Sequence, residues 1–177
     1  MTEPLVLVPG WSTGAGAWAP LARTTANAHQ PDFRACTAAG DLLPALRRCL
    51  PDEPAVVVGW SLGGCLALEL AAARPEAVRA VIVIAATPQF CCADRRQGWP
   101  AAAVRRLQRR LERAPEAAVA AFREGMFVSG EQAAAAAFSH ACPPADWGAF
   151  SLTALAAGLQ YLERLDLTTD LERIACP

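Results

Sequence analysis

Three short apolar runs mark the first half of the chain, at residues 5–8, 55–59 and 78–86, and the first two are closed by Pro9-Gly10 and by Gly59. Runs of this length, rich in Val and Ile, fit strands buried on both faces better than helices. The second run leads directly into residues 62–73, which are apolar on most faces and stopped by Pro75, the profile of a buried helix. Strand, helix and strand in that order predict a parallel sheet with right-handed crossovers. Weaker patterns predict a helix over about 20–28, a brief strand over 32–36, and a helix over 42–50 with Asp41 as its N-cap.

After Thr87-Pro88 the pattern becomes alanine- and arginine-rich, helical in period and without a clear strand from about 100 to 164. The organisation expected is an α/β core over 1–92, a helical lid over 93–165, and a return towards the core over 166–177. Within that return, Asp166 and Asp170 read as turn and cap residues, and residues 174–177 read as the start of another strand.

Composition narrows the picture. A chain of 177 residues that is 54% hydrophobic can bury one two-faced core, not two full domains. Its formal net charge of -1 gives no overall field to draw in nucleic acid or an anionic membrane. No basic leader precedes residues 5–8, and no segment reaches the roughly 18 apolar residues of a membrane helix, so a cytoplasmic monomer is the expectation. The seven cysteines lack CxxC spacing or a histidine cluster and read as reduced thiols, so neither metal nor cofactor is expected.

The chemistry concentrates at Gly59-Trp60-Ser61-Leu62-Gly63. This is a G-x-S-x-G pattern, in which small residues allow a sharp strand-to-helix turn that lifts a serine hydroxyl above a sheet. It follows a strand-like run and opens a helix-like one, the context that the turn requires. A phosphate-binding loop with Ser61 as a helix cap is the alternative, but it lacks both the P-loop lysine and G-x-G-x-x-G spacing. A serine nucleophile also needs amides aimed at the developing oxyanion. Leu62, at the helix N-terminus, and Trp11, in the loop after the first run, are the candidates; an aromatic packed under that loop is the less favoured reading of Trp11.

Four stretches extend the pattern: Leu5-Val6-Leu7-Val8-Pro9-Gly10-Trp11, Val58 through Gly64, Ala85 through Trp99-Pro100, and Gly158-Leu159-Gln160-Tyr161-Leu162 through Asp166-Leu167. On these residues the chain resembles the α/β-hydrolase carboxylesterases that cleave the methyl ester of pimeloyl-acyl carrier protein in biotin biosynthesis. The resemblance implies an α/β-hydrolase fold and ester hydrolysis with Ser61 as nucleophile and the amides of Trp11 and Leu62 as the oxyanion hole. It also implies a substrate pocket formed by Trp11, Trp60, Phe122, Arg123, Glu124, Gly125 and Met126, although Phe122 reads equally as a buried lid aromatic. An acidic carrier would meet basic lid residues. Arg105, Arg106, Arg109, Arg110 and Arg113 fall within about 140° of a helical wheel, which fits such a surface and fits a plain solvated face as well. Ala133 to Ala137 stand where the family carries further lid arginines.

A serine esterase needs a histidine base and a carboxylate that orients it. In this fold both are expected after the lid, in the order Ser, acid, His. The two histidines, His29 and His140, lie before the turn and within the lid, and Asp166 and Asp170 precede the strand expected at 174. The sequence therefore predicts an incomplete triad and negligible esterase activity for this chain. Hydrolysis of other small esters or lactones, and a non-catalytic binding role, are the alternatives.

Overall fold

Leu5–Val8 (β1) and Ala55–Trp60 (β3) lie side by side in parallel, with Leu5 opposite Val56 and Val8 opposite Gly59. The computed structural model that shows this pairing describes residues 3–143 and 150–177. Val78–Ile84 (β4) adds to the far side of β3, pairing Trp60 with Ile84, and Ala28–His29 (β2) adds to β1. The sheet order is β2-β1-β3-β4, parallel throughout. Because the register brings the C-terminal ends of β1, β3 and β4 level, the turns that leave those strands emerge together.

The run at 62–73 forms the helix Leu62–Ala73 (α3), with the bounds that its apolar composition and Pro75 predict. Leu66, Ala67, Leu70 and Ala71 are fully buried. They meet Val6, Val57 and Leu46, in a core where each fully buried aliphatic side chain is worth about 1.5–3 kcal/mol. Leu42–Arg48 (α2) packs on α3 with Leu42 and Leu46 inward.

Among the described residues four α-helices follow β4: Ala101–Arg113 (α4), Pro115–Glu124 (α5), Gln132–Ala141 (α6) and Leu152–Arg164 (α7). Pro115 opens α5 at a position where its missing N–H costs nothing. Ser151 caps α7 by accepting a hydrogen bond from the Ala154 amide at 3.0 Å. No strand breaks this stretch among the described residues, in line with the helical pattern; residues 144–149 of the expected lid lie outside them.

Several expectations are corrected. The strand expected at 32–36 is not formed, and β2 falls earlier, at Ala28–His29. Its two residues are selected by pairing with Leu5 and Val6, and two residues carry no readable alternation. The helix expected over 20–28 shrinks to Ala19–Ala22 (α1), preceded by a 3-10 turn at Ala15–Trp18. Asp41 occupies the N-cap position of α2, but its carboxylate turns backwards to accept the amides of Thr37 and Ala38, so it fastens the preceding turn. Residues 174–177 form no strand; a single bond, from the Val81 amide to the Pro177 carbonyl at 2.9 Å, begins the pairing with β4.

Candidate active site

The turn from β3 into α3 holds Ser61 at φ 55°, ψ -121°. A non-glycine residue with positive φ is costly and persists only where its surroundings impose it. Here the Ser61 amide donates to the Ile84 carbonyl at 2.9 Å, and the Ser61 carbonyl accepts the amides of Gly64 and Cys65 at 2.9 and 3.1 Å. The small residues make the turn possible. A Cβ on Gly59 would lie 2.3 Å from the Gly63 carbonyl oxygen, and one on Gly63 would lie 2.2 Å from that of Val8. The first turn of α3 thus rests directly on the ends of β1 and β3.

The loop after β1 runs alongside. Its turn is closed by Thr13, whose amide and hydroxyl both donate to the Gly10 carbonyl, at 3.3 and 2.8 Å, and Ser12 sits at φ 59°. Neither the Trp11 nor the Leu62 amide donates to a backbone carbonyl among the described residues. Leu62 opens α3, where an amide has no partner within the helix. These two amides therefore follow the C-terminal ends of β1 and β3, neighbouring strands about 5 Å apart.

The side chain of Trp11 does not face open space. It is 3% exposed, its indole N–H donates to the Leu155 carbonyl at 2.8 Å, and its ring meets Phe122 edge-to-face at 4.9 Å. The sequence left packing and function open for both aromatics, and their side chains pack together. Trp60 stacks against Gly10 and meets Phe138 edge-to-face at 6.0 Å. Arg123 donates to the carbonyls of Cys142 and Ser12, which ties α5 and the end of α6 to the loop after β1. Met126 is half-buried, whereas Glu124 and Gly125 are exposed. The structure so gathers Trp11, Trp60, Leu62, Phe122 and Arg123 around Ser61 and the neighbouring loop, and leaves Glu124 and Gly125 at the surface.

Three α7 residues missed as site residues organise this region. A Cβ on Gly158 would lie 2.7 Å from Trp11 Cδ1 and 3.3 Å from Leu62 Cδ2, so one glycine receives both residues that carry the free amides. Leu155 supplies the carbonyl for the indole, and the Tyr161 hydroxyl donates to Glu69 of α3 at 2.7 Å. Burial, followed by the Glu69 charge, pushes the Tyr161 hydroxyl far above its ordinary value. The available signal was Gly158 itself, since a glycine inside a helix costs about 1 kcal/mol and implies a packing reason. Below the turn, burial raises the Cys65 thiol to about 11, which keeps it protonated beside the Thr87 carbonyl.

Neither histidine meets Ser61. His29 lies on β2, about 10 Å from β3 across two strand spacings, with its Nε2 at 2.9 Å from Asn27 Oδ1. His140 is exposed on α6, about 200° around the helix from Phe138, the residue that contacts Trp60. Asp166 accepts from the Thr168 amide and hydroxyl and from Gln89, and Asp170 pairs with Arg173. Both are turn residues. On α4, Arg105, Arg106, Arg109, Arg110 and Arg113 are all exposed opposite buried Val104 and Leu111, with Arg105 paired to Glu163 at 3.0 Å.

The pattern of the α/β hydrolase fold family matches residues 9–159. Among curated relatives, a pimeloyl-[acyl-carrier protein] methyl ester esterase of Xylella fastidiosa (strain M12) is 37% identical over 106 residues, 54% of this chain and 40% of that protein. The protein of the same name from Xanthomonas campestris pv. campestris (strain B100) is 38% identical over 113 residues, 57% of this chain and 42% of that protein. The matched stretch thus spans about two fifths of the relatives' length. An enol-lactonase from Burkholderia xenovorans LB400 superposes with a TM-score of 0.76 at 12% identity, covering 100% of this chain and 71% of its own. A carboxylesterase of Nitrososphaera gargenis gives 0.74 at 18%, covering 99% and 70%. At those identities the structures speak for the fold alone. The family match, by contrast, runs unbroken through the loop after β1, the serine turn and most of α7, and on that ground the chain belongs to the α/β hydrolase fold family.

Proposed function

We propose that the chain is the nucleophile-bearing part of a serine carboxylic ester hydrolase of the pimeloyl-acyl-carrier-protein methyl ester esterase type, a step in biotin synthesis. The observation that carries this reading is Ser61 at φ 55° in the turn from β3 into α3, beside the Trp11 and Leu62 amides, which donate to no backbone carbonyl among the described residues. The Ser61 hydroxyl would attack the ester carbonyl, and the Trp11 and Leu62 amides would receive the charge that forms on its oxygen, each worth about 3–4 kcal/mol of barrier. Trp60, Phe122 and Met126 would border the acyl chain under a lid formed by α4 to α7. The exposed arginines of α4 would face an acidic carrier.

The base and its carboxylate are not found beside Ser61 among the described residues, and without them a serine retains only the residual catalysis of oxyanion hole and binding. The reading therefore assigns both groups to polypeptide seated beyond β4.

The test compares this chain with a fusion in which the C-terminal part of the Xanthomonas relative follows Pro177. The fusion is expected to hydrolyse the methyl ester of pimeloyl-acyl carrier protein and to lose that activity with Ser61→Ala, while this chain alone matches its own Ser61→Ala variant. A fusion that cleaves p-nitrophenyl acetate but not the carrier-bound ester would move the substrate to small esters or lactones. A folded fusion indifferent to Ser61→Ala on either substrate would make the chain a non-catalytic module.

A further inference from the structure

Between β4 and α4 the chain makes a closed loop. The Trp99 amide donates to the Phe90 carbonyl at 2.8 Å and the Cys92 amide to the Trp99 carbonyl at 3.0 Å, while the amides of Gln97 and Gly98 converge on the Asp94 carbonyl. The rings of Phe90 and Trp99 stack, 2° from parallel, at 6.3 Å. This stitching holds Cys92 at the wall of a cavity of about 600 Å³ formed with the first turn of α4 and lined by Cys91, Cys92, Arg95, Pro100, Ala101 and Arg105.

The polar groups of the cavity are unequal. Asp94 is neutralised by Arg96, which donates to both of its carboxylate oxygens. Glu163 is taken up by Arg105 and Gln108. Arg95 is exposed and has no carboxylate within ion-pair distance among the described residues. The balance at the cavity is therefore positive. The two thiols also differ. Cys91 packs against the hydrophobic core, and burial, then the Glu163 charge, raises its thiol above the ordinary value. The polar neighbour of Cys92 Sγ is Gln97 Oε1, at 3.9 Å, a weak contact that leaves the sulfur available.

We propose that Cys92 is a thiol-modification site whose cavity admits anionic low-molecular-weight disulfides. The Cys92 thiol gives its proton to solvent, and the thiolate attacks one sulfur of the incoming disulfide. The reagent's S–S bond breaks, a mixed disulfide to Cys92 forms, and the other half leaves as a thiolate that Arg95 stabilises. No external oxidant is consumed. Cys91 does not resolve the adduct, because adjacent Cα atoms across a trans peptide lie about 3.8 Å apart, short of the roughly 4.4 Å at which disulfide geometry begins. The adduct persists until an outside thiol removes it.

The test uses the folded chain, the dianionic reagent 5,5′-dithiobis(2-nitrobenzoate) and the uncharged 2,2′-dithiodipyridine, with peptide mapping of the first sulfur labelled. Cys92 is expected to react first with the dianion, and Cys92→Ser to remove that fast phase while Cys91→Ser keeps it. Arg95→Ala is expected to slow the dianion about five- to tenfold and to leave the uncharged reagent within about twofold, and salt near 0.5 M to compress the difference. First labelling at another cysteine would overturn the proposal. So would equal slowing of both reagents by Arg95→Ala, or no change with either.

Discussion

Gly63 has no room for a methyl group: its Cβ would lie 2.2 Å from the Val8 carbonyl oxygen and 2.6 Å from that of Pro9, both backbone atoms that cannot swing aside. Gly40, on a 3-10 turn, has nothing within 4 Å of the same position. Gly63→Ala is therefore expected to cost about 3 kcal/mol and Gly40→Ala to be neutral or slightly stabilising, read as urea midpoints of the two variants. Comparable losses would mean that the turn tolerates a shift of β1. This residue was legible because a G-x-S-x-G pattern after a strand states its own steric requirement. Asp41 was only half legible, since its position before a helix predicts a cap but not the direction in which the carboxylate turns. The amides of Thr37, then Ala38, hold that carboxyl below the ordinary 3.8. A lowered folded value means that the stabilisation is complete above the unfolded pKa and is lost as the pH falls through the folded one. Asp41→Asn should thus lower the urea midpoint at pH 7, and the gap from the unsubstituted chain should close below about pH 4. A gap constant down to about pH 2.5 would sink this account.

Among the elements, α7 couples the helices to the serine turn. Leu155, Gly158 and Tyr161 recur every three residues along one face and reach Trp11, then Trp11 and Leu62 together, then Glu69. Gly158→Ala sets a methyl group against the indole and is expected to cost about 1–3 kcal/mol and to change the near-ultraviolet circular dichroism of Trp11. Tyr161→Phe deprives a partly buried carboxylate of its donor and is expected to cost about 1–2 kcal/mol without altering the Trp11 signal. If both variants changed that signal alike, α7 would be moving as a rigid body and Gly158 would have no special role. The helical period from 100 to 164 was readable, as was the amphipathic sense of α4, because arginine and leucine alternate there with helical spacing. The packing of α7 was not. Its alanines, leucines and glycine suit several faces, and what selects one face is a tryptophan more than 140 residues earlier in the chain.

At the scale of the whole molecule, β4 is the anomaly. Strands of a parallel sheet are normally covered on both faces, and a sequence as apolar as that of β4 reads as such a strand. Val83 does turn towards α3, with its Cγ1 3.2 Å from where a Cβ on Gly64 would lie. By alternation Ile82 and Ile84 present the opposite face, and they are 50% and 44% exposed. The outer edge of the strand is engaged through the bond from Val81 to Pro177. An apolar face beside an edge with few partners is a template for further chain, whether a following segment or a second molecule. The chain on its own is therefore expected to self-associate, its weight-average mass in sedimentation rising with concentration above 18.7 kDa. Replacing Ile82 and Ile84 together by lysine should hold the mass at the monomer value with stability within about 0.5 kcal/mol, because both sites are open to solvent, whereas Val57→Lys, at a fully buried position of β3, should unfold the chain. A mass independent of concentration in the unsubstituted chain would show that the exposed face carries no association. In that case the seat beyond β4 would rest on strand pairing alone.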